Sequence, residues 1–239
     1  MRPAVTVSAE GFVFDMDGLL VNTESLARKA LRLAGDEIGL DLPDSLCHLM
    51  IGVPADGCRR LLYERYGKNA PADPLFDAAA RHMEAQISAG RLRCQPGALA
   101  LLDELDRRSM PRAVATSSSR VKAARHLSAA SITHRFDAIV TRDDVANGKP
   151  WPDLFVRAAE ALGLPPAHCL ALEDSYNGVR AAHAAGMPVI MVPDLLPAND
   201  EMRSLCLDIV ESLEAIPAML PTHHPSGGRQ RPGRLNRPQ

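Results

Sequence analysis

Residues 11–18 read Gly11-Phe12-Val13-Phe14-Asp15-Met16-Asp17-Gly18. Three apolar residues give way at once to two acids and a glycine. An apolar run this short, stopped by polar turn residues, reads as a strand buried on both faces, as in a parallel sheet. The pattern recurs along the chain. Residues 112–115 enter Thr116-Ser117-Ser118-Ser119, and residues 138–140 enter Thr141-Arg142-Asp143-Asp144. Residues 169–172 enter Glu173-Asp174-Ser175, and the run 189–192 stops at Pro193. Helical stretches lie between them. Residues 97–108 place Leu99, Leu102 and Leu105 on one face, and residues 119–130 open with a capping serine. Residues 152–163 run from Pro152 to Gly163, and the alanine-rich stretch 176–185 stops before Gly186. This alternation predicts an α/β fold, a doubly wound parallel sheet of five strands with its functional groups at the strands' carboxyl ends.

One interval breaks the rhythm. From residue 22 to residue 92 there are helical patterns, at 24–36, 55–66 and 74–89, but no convincing strand. About 70 residues are too many for a loop, so a helical cap domain inserted after the first strand is expected over 22–92. The catalytic core then comprises residues 10–21 plus 93–220. The Pro/Gly/Arg-rich tail, 221–239, is expected to be disordered.

Composition narrows the function classes. The chain has 239 residues, 46% hydrophobic and 23% charged, which is globular rather than disordered. The tail carries four arginines and no acid, so the first 220 residues hold six net negative charges within the total of −2. Such a body offers no broad nucleic-acid surface. Five scattered cysteines without a C-x-x-C argue for reduced thiols, and the opening MRPAVTVSAE lacks a secretory apolar segment. A cytoplasmic protein without a membrane partner is expected, since no run of about 18 apolar residues occurs.

Asp15 and Asp17 stand two apart at a strand end, where both carboxylates are expected to face one site. Like charges so close need a cation between them or a proton on one. Thr116, Lys149, Glu173 and Asp174 end other strands or the loops that follow them. An oxygen-rich set without His or Cys favours a hard cation, Mg²⁺ in particular, beside a substrate phosphate. A carboxylate can attack phosphorus, a lysine and a hydroxyl can support the phosphoryl oxygens, and a second acid can move the protons. The histidines, His126 among them, show no metal-binding spacing and read as surface or hydrogen-bonded groups. No G-x-S-x-G or G-x-x-x-x-G-K-[ST] occurs, which argues against a serine hydrolase or a P-loop ATPase.

The segment FDMDGLLVNTE resembles the first motif of the haloacid dehalogenase (HAD) superfamily. Thr116 in VATSS resembles the second motif, Lys149 in GKPWPDLF the third, and LEDSYNGVRAAHAAGM the fourth. All four follow the family's order, over roughly residues 10–215. The likeness is to the subfamily with a helical cap after the first motif, which contains sugar phosphatases and β-phosphoglucomutase. The resemblance implies that Asp15 is the nucleophile and Asp17 the general acid/base, which also lends its backbone carbonyl to the metal. It implies that Thr116, Ser117 and Lys149 hold the phosphoryl group. Asp15, Asp17 and Asp174 would hold Mg²⁺, with Glu173 either a direct ligand or a support.

The expected activity is hydrolysis of a small phosphomonoester, a sugar or polyol phosphate, and the resemblance implies a monomer. A phosphohexomutase is the nearest alternative. Mutases of the β-phosphoglucomutase type carry a His twelve residues after the nucleophile and an Arg in the cap; here those places hold Ala27 and Ala55. A phospho-accepting signalling domain uses similar groups, but such domains are far shorter and lack a cap. Halide displacement would leave Asp17 without a role. Glu24 and the side chains around 49–56 are candidate cap contacts.

Overall fold

Every residue of the first strand is buried, as a strand without polar alternation requires. The computed structural model describes residues 7–50, 53 and 55–221. Six strands, β1 (Gly11–Phe14), β2 (Arg112–Ala115), β3 (Ala138–Val140), β4 (Cys169–Glu173), β5 (Val189–Met191) and β6 (Asp208–Ile209), form one sheet in the order β3-β2-β1-β4-β5-β6. Every pairing is parallel. The sequence predicts five of these. β6 has two half-buried residues, one of them Asp208, too short to display a period at the sheet edge.

After β1 come four helices, α1 (Thr23–Ile38), α2 (Asp44–Leu49), α3 (Ala55–Tyr66) and α4 (Ala72–Ser88). Then α5 (Ala98–Arg107), α6 (Arg120–Ala129), α7 (Asp153–Leu162), α8 (Tyr176–Ala184), α9 (Asp200–Leu205) and α10 (Ile216–Met219) alternate with the remaining strands. The two-residue period of the strands sorts their side chains between two layers. Phe12, Phe14, Val114, Leu170 and Leu172 pack with α5, α6 and α10. Val13, Ala113, Ala115 and Ala171 face the other way, against α7, α8 and α9. The sheet is therefore covered on both sides, and its strands' carboxyl ends are left to form a site.

Helices α1 to α4 enclose a separate apolar cluster that includes Ala34, Leu46, Cys47, Leu62, Leu75 and Ala78. The chain leaves the sheet and returns to it at one place. Asn22 donates its N–H to the Arg93 carbonyl at 3.1 Å, and its side-chain oxygen accepts from the Arg93 N–H at 2.8 Å. The Gln95 N–H donates to the Leu20 carbonyl at 2.9 Å. Among the described residues no helix is long and apolar enough to cross a membrane. The expected disorder of the tail concerns residues 222–239, which lie outside the described residues, as do 51, 52 and 54 in the candidate cap stretch.

The predicted face of α5 needs correction. Its buried residues are Ala98, Leu101, Leu102 and Leu105, whereas Leu99 is 49% exposed. A spacing of i, i+3, i+4, i+7 makes one stripe, and residue 99 lies about 100° around the axis from 98. Replacement of Leu102 by alanine is expected to cost about 3 kcal/mol of stability, as cavities in apolar cores do. Leu99→Ala should cost less than about 0.5 kcal/mol, as surface changes do. Urea denaturation of the two variants checks the assignment.

Candidate functional site

The site begins where β1 stops. The Asp15 N–H still donates to the Leu172 carbonyl at 3.0 Å, so Asp15 continues the ladder with β4. Beyond it the chain turns, closed by bonds from the Leu20 N–H to the Met16 carbonyl at 3.0 Å and from the Gly18 N–H to the Val21 carbonyl at 2.9 Å. Gly18 has φ of +87°, and a Cβ there would stand 2.2 Å from Asp174 Oδ2. Glycine is required on both counts. Asp15 and Asp17 take different hydrogen-bond partners, although the charge of Asp17 still acts on Asp15.

Asp15 joins Glu173 and Asp174, all three buried, with one ligand oxygen from each within 4.8 Å of the others. Lys149 reaches them from the loop before α7. Its Nζ donates to Asp15 Oδ1 and, at 2.5 Å, to Glu173 Oε1, and it lies 5.2 Å from the centre of the Phe155 ring. Burial alone would strip Lys149 of its proton, but Asp15 and Glu173 hold it charged, above the usual lysine range. The other Glu173 oxygen, Oε2, accepts from the Asp174 N–H, the Ser175 N–H and the Ser175 hydroxyl, each at 3.0 Å. The Ser175 hydroxyl in turn accepts from the Gly178 N–H at 3.1 Å and caps α8. A Cβ on Gly178 would lie 1.7 Å from Glu173 Oε1, so this glycine makes room for the carboxylate.

Asp17 sits apart from the lysine. The Ser118 hydroxyl donates to its Oδ2 at 2.7 Å and the Thr116 hydroxyl at 3.4 Å, while His126 Nδ1 lies 3.3 Å from Oδ1. The buried Thr116 hydroxyl also accepts from the Ser118 N–H at 3.0 Å. Ser117 is exposed at the end of β2. Ser118 and His126 are the partners that sequence reasoning missed. The signal for His126 lay in the buried stripe of α6, Ala123, His126 and Leu127, where it is the one polar side chain.

The two acids diverge electrostatically. Burial, together with the charges of Glu173 and Asp17, pushes Asp15 from its ordinary 3.8 up to about 8, against the opposing pull of Lys149. Burial and the charges of Glu173, Asp15 and Glu24 also raise Asp174 well above the carboxylate range. Glu24, in the first turn of α1, rises to about 8 through burial and the charges of Asp194, Asp15, Asp17 and Glu173. Burial works to raise Asp17 as well, yet the hydrogen bond and charge of His126 and the hydrogen bond from Ser118 bring it below the ordinary value. One ammonium cannot balance three buried carboxylates. The donors are all oxygens, which suits a hard divalent cation such as Mg²⁺.

A parallel sheet whose central strand ends in an Asp-x-Asp turn, beside a lysine and two further acids, defines the class of HAD-like hydrolases. The family model for haloacid dehalogenase-like hydrolases matches residues 12–192, and the chain belongs to that family. It is 36% identical over 188 residues to "Probable pseudouridine-5'-phosphatase" of Drosophila melanogaster, covering 76% of this chain and 80% of that protein. The crystal structure of a CbbY mutant from Rhodobacter sphaeroides in complex with xylulose-1,5-bisphosphate superposes with a TM-score of 0.72 at 29% identity, over 86% of this chain and 95% of that one. A HAD family hydrolase from Deinococcus radiodurans R1 with bound phosphate and sodium gives 0.75 at 26% identity, over 89% and 98%.

The pH dependence of stability follows from the sign of the Asp15 shift. Between its unfolded value of 3.8 and about 8, the cation-free fold keeps a proton that the unfolded chain has released. Its contribution is complete below 3.8 and lost as pH rises towards 8. A divalent cation held by these carboxylates would replace that proton, and its binding would strengthen with pH. Thermal melting in EDTA should show Tm falling from pH 5 to pH 8, and added MgCl₂ should raise Tm more at pH 8 than at pH 5.

Proposed function

We propose that this protein hydrolyses a small phosphomonoester, a sugar or polyol phosphate, in a Mg²⁺-dependent reaction through an aspartyl-phosphate on Asp15. The observation that carries the reading is the Lys149 clasp. A buried ammonium joins Asp15 to Glu173 with Asp174 alongside, while Asp17 is held separately by hydroxyls and an imidazole. This division supports one acid bonding to phosphorus and the other handling protons.

In the first step an Asp15 carboxylate oxygen attacks phosphorus and the bond from phosphorus to the leaving oxygen breaks. Asp17 delivers a proton to that oxygen, and the alcohol departs. In the second step Asp17 takes a proton from water, whose oxygen bonds to phosphorus as the bond to Asp15 breaks, and inorganic phosphate is released. Lys149 and the Thr116 hydroxyl support the phosphoryl oxygens, with Ser117 on the same loop. Asp15, Glu173 and Asp174, with the Asp17 backbone carbonyl, would hold Mg²⁺, which when bound offsets the charge of the nucleophile and the phosphoryl group.

In the same reading residues 10–21 and 93–220 form the catalytic core, and residues 22–92 act as the cap that selects the leaving group. The separate core of α1 to α4 supports that division. The exposed Ala27 offers no imidazole for a mutase, which favours hydrolysis. The mutase comparison at Ala55 concerns a side chain outside the described residues. The substrate partner is a small molecule rather than a nucleic acid or a membrane. Five free cysteines support a reducing, cytoplasmic compartment, and the monomer rests on the family resemblance.

The test is phosphate release across a panel of sugar, polyol and nucleotide monophosphates with MgCl₂. At least one sugar or polyol phosphate should release inorganic phosphate over many turnovers, and EDTA should stop it. Asp15→Asn should lower kcat by about a thousandfold or more, as loss of a covalent nucleophile does. Interconverted hexose phosphates without phosphate release would establish the mutase instead, and a long-lived phosphoprotein without turnover would establish a signalling domain.

A further inference from the structure

His126 has no place in the reaction just described, although its surroundings are unusual for a surface histidine. It lies on the buried stripe of α6 between Ala123 and Leu127, and only 8% of the residue is exposed. Its Nδ1 points at Asp17 Oδ1 across 3.3 Å, while the Ser118 hydroxyl donates to Oδ2 at 2.7 Å. The carboxyl group is thus held at both oxygens, from two directions. Both anchors belong to the β2–α6 unit, with Ser119 capping α6 through the Lys122 N–H. The helix is also tied outward, since the neighbouring Arg125 pairs with Glu84 on α4.

A carboxyl group turns readily about the bond to its own Cβ, because terminal torsions of this kind are broad and roughly two-fold. A general acid has to present its proton within hydrogen-bond reach of the leaving oxygen. Hydrogen bonds to Oδ2 alone, from Ser118 and at 3.4 Å from Thr116, leave the carboxyl plane free to swing about that oxygen. A bond to Oδ1 fixes the plane. We propose that His126 is a positioning residue for proton transfer: by donating Nδ1–H to Asp17 Oδ1 it holds the Asp17 carboxyl group in the orientation that delivers a proton to the leaving oxygen. This inference rests on the assignment of Asp17 as the acid/base.

The proposal separates substrates by leaving group. A nitrophenolate departs without a proton, an alkoxide does not. Loss of the Asp17 orientation should therefore slow alkyl phosphates far more than p-nitrophenyl phosphate. The quantity to compare is kcat/KM, which reports steps up to the first irreversible one, and so leaves out hydrolysis of the aspartyl-phosphate. A change in packing alone would lower both substrates by one common factor.

The experiment measures kcat/KM of wild type, His126→Leu and His126→Asn on p-nitrophenyl phosphate, phenyl phosphate and glycerol 2-phosphate with MgCl₂. Leucine fills the apolar stripe without a donor, and the asparagine amide nitrogen takes the place of Nδ1. In the leucine variant the ratio of kcat/KM for glycerol 2-phosphate to that for p-nitrophenyl phosphate should fall about tenfold or more, part of the about 10²–10⁴ that a general acid supplies. Phenyl phosphate should fall between them, and asparagine should restore most of the ratio. Equal losses on all three substrates, or an asparagine variant no better than leucine, would overturn the role of His126. Should the leucine variant fail to fold, by circular dichroism, the asparagine variant decides by its ratio against wild type. A wild type that releases phosphate from none of the three and from no member of the phosphate panel would instead overturn the phosphatase reading itself, and this inference with it.

Discussion

The site depends on one buried ammonium among three buried carboxylates. Asp15, Glu173 and Asp174 are brought together because β1 and β4 are neighbours in the sheet and end side by side. Charges removed from water repel one another strongly and lose their hydration. Lys149 offsets part of that cost by donating to two of the three acids. What remains is an excess of negative charge with no further cation of the chain bonded to it among the described residues. The cluster holds protons or a metal ion, and the raised Asp15 and Asp174 express the first alternative. Gly18 and Gly178 belong to the same constraint. Each stands where a Cβ would collide with a carboxylate of the cluster, so the acids approach backbone that has no side chain to displace.

The second acid adds its charge to this field but takes its hydrogen bonds elsewhere. Asp17 is only two residues from Asp15, yet its carboxylate meets Ser118, Thr116 and His126 instead of Lys149. The cause is the place where β1 ends. Asp15 keeps its ladder bond to Leu172, and beyond it Asp17 lies beside Ser118 and His126. The end of the ladder gives two chemically identical side chains different surroundings, which raise the one and lower the other.

Much of this is legible before any coordinates. The apolar runs place five of the six strands, and the polar residues that stop them are those that gather at the sheet's carboxyl edge. Patterns longer than about two turns, as in α1, α4 and α7, show their period clearly. Short elements do not. α2 has six residues and β6 two, and neither carries enough positions to define a repeat. Leu99 was misplaced because three leucines at i, i+3 and i+6 suggest a face that the actual stripe, starting at Ala98, only partly shares. Ser118 and His126 were hidden for another reason. Their role comes from where α6 lands relative to the Asp17 turn, a distance of 109 residues along the chain for His126, which no local pattern encodes.

The helical unit is not electrically separate from the sheet edge it adjoins. Eight residues after Asp15, α1 begins with Thr23 and Glu24. The Glu24 carboxyl already lies close enough to Gly18 that a Cβ there would stand 3.2 Å from it. It both feels and strengthens the field at Asp174. The two segments that join this unit to the sheet are bonded to each other, Asn22 to Arg93 and Leu20 to Gln95, which sets where α1 starts relative to β1. A change at this junction therefore acts on the charge balance of the acids as well as on the placement of α1 to α4. In a chain with this connection, the segment that would choose the substrate and the residues that would act on it cannot vary independently.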